Sequence, residues 1–198
     1  ADHEKAREVA HETIVLLKNE DDILPLKKDA NIAFIGQYAQ KPRYQGGGSS
    51  HINSKKVTSA LDAIKQAGIT NITFAKGFDD QVDVVDEVLE AEAIEAATKA
   101  DVAVVFAGLP DAFESEGFDR EHMRMPECQN HLIDEILNVQ PNTVVVLHNG
   151  SPVEMPWVNE VKGIVEAYLG GEAVGGAVVD ILFGGVNPSA KLAETFPY

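Results

Sequence analysis

Short, near-continuous apolar runs constrain this chain more than any other feature. Asn31-Ile32-Ala33-Phe34-Ile35-Gly36, Val102 to Ala107, Thr143-Val144-Val145-Val146-Leu147 and Gly163-Ile164-Val165-Glu166-Ala167-Tyr168 are each too short for a buried helix. They lack the polar alternation of a half-exposed strand, so they read as strands covered on both faces, the pattern of parallel sheets. Helix-like stretches separate them, which predicts an α/β fold: a three-layer sandwich around a mostly parallel, doubly wound sheet of five or six strands.

The helices are predicted over about Asp2 to Lys18, from the stripe Val9, Thr13, Leu16 and Leu17, and over Ser59 to Ala67. Another is expected over Val82 to Lys99, with Val85, Val88, Leu89 and Ile94 available for packing, and others over Pro126 to Val139 and Glu172 to Phe183. Ile72-Thr73-Phe74-Ala75 adds a short strand, and Glu194 to Tyr198 reads as strand-like. Residues 1–28 form a linker helix and lead-in segment, and 29–198 the sandwich.

With 44% hydrophobic residues in 198, a sizeable single core is available. Thirty-two acidic against 16 basic residues give a formal charge of -16, which opposes nucleic acid and anionic lipid as partners. No apolar run approaches the ~20 residues of a membrane span and no signal peptide opens the sequence, so a soluble chain, cytoplasmic rather than secreted, is expected. The single cysteine, Cys128, forms no internal disulfide and reads as a structural side chain. No histidine has a partner at metal-ligand spacing, so no metal and no cofactor are expected. His3, His11 and His131 lie on helices; His148, ending a strand, reads as a satisfied terminus residue or a site-lining one. Trp157 reads as core.

Two loops leave the carboxyl ends of predicted strands, where open α/β sheets keep their chemistry. The first, Tyr44-Gln45-Gly46-Gly47-Gly48-Ser49-Ser50-His51, lacks both the dinucleotide and the Walker spacing. It is a surface turn or a cradle in which backbone amides and the Ser49 and Ser50 hydroxyls meet a polar ligand. The second runs from Leu109 through Glu114-Ser115-Glu116-Gly117-Phe118-Asp119-Arg120. Its charges suit a solvated loop, or a general acid if Gly117 aims the Glu116 carboxylate, Arg120 pairs with Asp119, and neighbouring like charges raise the pKa.

These motifs resemble the second, α/β-sandwich domain of family three glycoside hydrolases of the β-glucosidase type. The resemblance rests on Ala6 to Ala10, Ile14 to Glu20, Leu24-Pro25-Leu26, Gln45 to Ser50, Glu114 to Arg120, Met125-Pro126, Gln129-Asn130, Asn187 to Leu192 and Thr195-Phe196-Pro197. It covers almost the whole chain, though glycine is commoner in the family where Ala190 stands and Ala193 is a loose fit. It implies a retaining β-glycosidase releasing terminal β-D-glucosyl residues from oligosaccharides or glucosides. An aspartate nucleophile would come from a preceding barrel domain, absent here, and a glutamate from this domain would act as acid and then base. The position matches Glu116, with Glu114 as fallback. Ser49, and less directly Ser50 and Gly48, would contact the sugar, with Gly117, Asp119 and Arg120 supporting the loop. The chain alone is then expected to be inactive. A non-catalytic carbohydrate-binding module and a flavodoxin-like nucleotide binder are the alternative readings.

Overall fold

The computed structural model describes residues 2–197. One six-stranded sheet forms from β1 (Val15–Asn19), β2 (Ile32–Ile35), β3 (Ile72–Ala75), β4 (Val102–Gly108), β5 (Thr143–His148) and β6 (Gly163–Glu166), in the order β1-β6-β5-β4-β2-β3. All pairings are parallel except that of β1 with β6. Helices α1 (Asp2–His11), α2 (Ala60–Gln66) and α5 (Val174–Leu182) pack together, as do α3 (Glu87–Lys99) and α4 (Glu127–Val139), giving the doubly wound three-layer sandwich. Among the described residues, no helix is long and apolar enough to cross a membrane.

Helix α1 stops at His11, and the segment expected to continue it is strand β1. Thr13, Ile14 and Val15 are β-branched in succession, which disfavours helix, and the free edge of β6 offers backbone partners from Glu166 to Gly163. Residues 2–26 are therefore more than a lead-in helix. Only Ala10 of α1 is buried, and α1 is held to α5 by charge: Arg7 donates from Nε and Nη2 to both Asp180 oxygens at 2.7 and 2.6 Å, and His11 Nε2 lies 2.7 Å from Asp180 Oδ2.

Two other expectations give way. Helix α3 begins at Glu87, where the Asp86 side chain caps the amides of Val88 and Leu89. Val85 and Val88 lie exposed, and Ala93, Ala96 and Ala97 form the buried face beside Ile94. Glu194 to Pro197 forms no strand, while Phe196 packs edge-on to Tyr168; Tyr198 lies outside the described residues. Trp157 is fully buried and donates to Asn130, as a core residue would. The Cys128 thiol is buried and pushed up to about 12, first by that burial, which makes it inert.

The strand order places the topological switch between β2 and β4. The chain leaves β2 for β3 on one side, then crosses back to β4 and proceeds outward to β5 and β6. Both loops singled out in the sequence leave from this point. Gly108, the last residue of β4, has φ +147°, and a Cβ there would stand 2.1 Å from the His148 carbonyl oxygen on β5. Gly108→Ala is expected to destabilise the fold by roughly 3 kcal/mol or more, measured by urea denaturation, because the obstacle is backbone and cannot rotate away.

Candidate active site

The two loops meet. Glu116 is exposed, and one of its carboxylate oxygens accepts the Ser49 backbone N–H at 2.5 Å. Gly48 makes the approach possible: with φ +78°, its Cβ position is 2.5 Å from atoms of Glu116, so any side chain there would displace the carboxylate. Gly117 has φ +96° with open space around it, so its requirement is conformational, as expected for a residue that turns the loop behind Glu116. Ser50 does not face the acidic loop; its hydroxyl donates to the Gly47 carbonyl at 3.3 Å within its own turn.

Glu114 has a different setting from Glu116, two residues away. Its carboxylate accepts from Arg43 Nη1 at 2.5 Å, from the Gly150 amide at 2.8 Å and from the Ser151 hydroxyl. Arg43 also donates to the Glu114 carbonyl at 2.8 Å and to Asp111 at 3.1 Å, with its side chain 6% exposed. The residues after β2, β4 and β5 are thereby tied at one point. Burial alone would raise the Glu114 pKa, but the bonds from Ser151, Arg43 and Gly150 outweigh it and hold the carboxyl below its ordinary range. Every strong interaction of Glu114 is structural.

Three expectations are corrected here. Arg120 does not pair with Asp119: its Nη1 donates to the Ser151 hydroxyl at 2.8 Å and the Pro152 carbonyl at 2.7 Å, bracing the acidic loop against the loop after β5, and Asp119 is exposed. Like charges do not raise the Glu116 pKa. The Ser49 side chain and then its backbone N–H hold it below the ordinary range, while the neighbouring Glu114 and Asp111 both turn toward Arg43. His148 neither lines a site nor finds partners. It is 1% exposed, both ring nitrogens lack hydrogen bonds, and burial lowers its pKa to about 4.

Beneath the site lies a carboxyl group that the sequence reading passed over. Glu166 ends β6 fully buried; it accepts from the Tyr168 amide at 2.7 Å and from Asn149 Nδ2 at 3.0 Å, and Asn149 Nδ2 also donates to the Ser151 carbonyl at 3.0 Å. Burial pushes Glu166 up to about 8 against these bonds, which favours its neutral form. Tyr168, a non-glycine residue at φ +52°, is held in that conformation by its bond to Glu166. The visible signal was a lone carboxylate inside an apolar run.

Arg43→Met is expected to cost about 3 kcal/mol and to raise amide exchange across residues 45–52 and 111–121, since it strands a part-buried carboxylate. Because the folded-state pKa of Glu114 is depressed, its contribution is present above the ordinary value of 4.5 and is lost as pH falls through the lower folded value. Glu166 has the opposite sign. Its contribution is complete below 4.5 and lost as pH rises through about 8. Glu166→Gln should flatten the decline in stability across that interval in denaturation curves taken at successive pH values.

Comparison with known proteins places this geometry. Residues 14–198 match the profile of the Glycosyl hydrolase family 3 C-terminal domain. The chain is 59% identical to thermostable β-glucosidase B of Acetivibrio thermocellus, over all of this chain and 26% of that protein. It is 47% identical to an exo-α-(1->6)-L-arabinopyranosidase of Bifidobacterium longum, over all of this chain and 27% of the relative. The crystal structure of a Bifidobacterium adolescentis GH3 β-glucosidase superposes with a TM-score of 0.94 at 50% identity, covering 98% of this chain and 28% of that one. The chain spans about a quarter of the length of these relatives.

Proposed function

The chain belongs to the glycosyl hydrolase family 3 C-terminal domain family, and from that membership we propose that it supplies the general acid and base, Glu116, to a retaining β-glycosidase whose nucleophile lies in another domain. The observation that carries this reading is the contrast between two neighbouring carboxylates. Glu114 is held by Arg43, Ser151 and Gly150, whereas Glu116 stands exposed at the switch-point face with the Ser49 backbone N–H aligning it. Both carboxylate oxygens of Glu114, the fallback, are engaged by groups of its own domain.

Glu116 would protonate the departing glycosidic oxygen while an aspartate on the opposing domain forms the glycosyl-enzyme; the resulting carboxylate would then take a proton from the water that releases the sugar. Retention needs the two carboxyl groups roughly 5 Å apart, so the opposing domain must close over this face. Several exposed apolar side chains support such a covering. Ile52, Val82, Val84, Val85, Phe118 and Met123 all stand on loops leaving the carboxyl edge of the sheet. A β-glucoside or oligosaccharide is the substrate class that fits the β-glucosidase relatives.

The lowered pKa of Glu116 is unsuited to an acid at neutral pH. Docking of a second domain would remove water and bring the aspartate near, both of which raise it. The isolated chain is therefore expected to show no turnover of an aryl β-glucoside. In a full-length enzyme carrying this domain, Glu116→Gln should lower kcat/KM by about 10²- to 10⁴-fold on substrates with poor leaving groups and far less on activated aryl glucosides, whose kcat falls instead because release of the sugar loses its base. Equal loss on both classes, or none, would remove the assignment.

A further inference from the structure

A cleft of about 380 Å³ opens between the residues after β2, the loop after β3 and the start of the acidic loop. Tyr38, Lys41, Tyr44, Gln45, Gln81 and Asp111 line it, and neither Ser49 nor Glu116 does. It sits over the β2/β4 switch, the place where open α/β sheets bind ligands, and its volume is within the ~300–1,000 Å³ of small-molecule sites. Below it, Tyr38 is 1% exposed and its hydroxyl has no hydrogen-bond partner, an uncommon state for a buried polar group.

The lining selects the ligand class. Arg43 at the cleft spends three of its N–H groups on Asp111 and Glu114, and Asp80 and Asp111 face the same space in a chain of net charge -16, so an anion is disfavoured. What remains is a set of mixed donors and acceptors. The Asp111 carboxylate is 68% exposed and uses Oδ1 for Arg43; Gln81 and Gln45 carry amides; the Lys41 ammonium has no ion pair among the described residues; and Tyr44 offers a half-buried ring. Carboxylate, amide and ammonium side by side match neighbouring hydroxyls that both donate and accept. We propose that this cleft binds one pyranose ring of an uncharged saccharide, with Lys41, Gln81 and Asp111 bonding its hydroxyls and the Tyr38 hydroxyl satisfied from below, directly or through one water.

The proposal goes beyond the assignment of Glu116 and stands without it. The test is a ¹H–¹⁵N NMR titration of the chain with methyl β-D-glucopyranoside and, separately, inorganic phosphate. The expected result is saturable shifts at the amides of Lys41, Tyr44, Gln45, Gln81 and Asp111 with the glucoside alone, unchanged in Glu116→Gln. Tyr38→Phe keeps the buried ring, and Gln81→Ala alters an exposed side chain; each should weaken binding about fivefold with the remaining spectrum preserved. Glucoside shifts that fail to saturate or lie elsewhere, affinity untouched by both substitutions, or saturable binding of phosphate in place of the glucoside would each overturn the proposal.

Discussion

The Arg43 guanidinium divides its N–H groups between Asp111, the Glu114 carboxylate and the Glu114 carbonyl, and Glu114 passes the connection to Gly150 and Ser151. Three segments that leave adjacent strands, yet lie far apart in the chain, are fixed by this one buried node. Without it, the glycine-rich turn and the acidic turn would each bring a high closure entropy to a single contact between Ser49 and Glu116. A paired charge in a low-dielectric setting supplies direction as well as attraction, since a guanidinium accepts its partners only in a fixed planar fork. Arg120 and Ser151 extend the brace to the far side of the acidic loop. The exposed carboxylate of Glu116 is thus placed by groups that lie outside its own turn.

The same node explains why the two glutamates differ. They are separated by one serine and share a turn, yet one is ringed by donors and the other faces outward. A pair of carboxylates spaced this way in sequence carries no indication of which is structural, because the deciding partner, Arg43, lies 71 residues earlier. Only the resemblance to a family motif favoured Glu116 over Glu114 at the level of sequence.

The legible parts of the fold were those whose evidence is local. Strands β4 and β5 are buried along nearly their whole length, so their sequences are apolar throughout and cannot be misread. Helix α2 begins where the sequence places it, at Ser59, and the structure adds the capping box of Ser59 and Asp62. Strand β1 was not legible, because Leu16 and Leu17 fit a helical stripe and only the open edge of β6 makes a strand the better solution. Val85 and Val88 misled in the same way, as apolar residues that no layer covers. In the site, Gly48, Ser49, Glu116 and Gly117 could be named from the sequence, whereas Arg43, Ser151 and the buried Glu166 could not, since their roles exist only across long loops.

On the proposed reading the chain presents half of a proton-transfer device: an aligned carboxylate whose environment, alone, favours the ionised form. Its conversion to a proton donor is assigned to the domain that would close over it. The most direct measurement is the carboxyl titration of Glu116, followed by ¹³C NMR in the chain alone and again with the barrel polypeptide of a full-length relative added in trans. The account predicts a pKa below the ordinary 4.5 in the chain alone, rising toward neutrality in the complex. An unchanged titration in a complex that hydrolyses β-glucosides would contradict it.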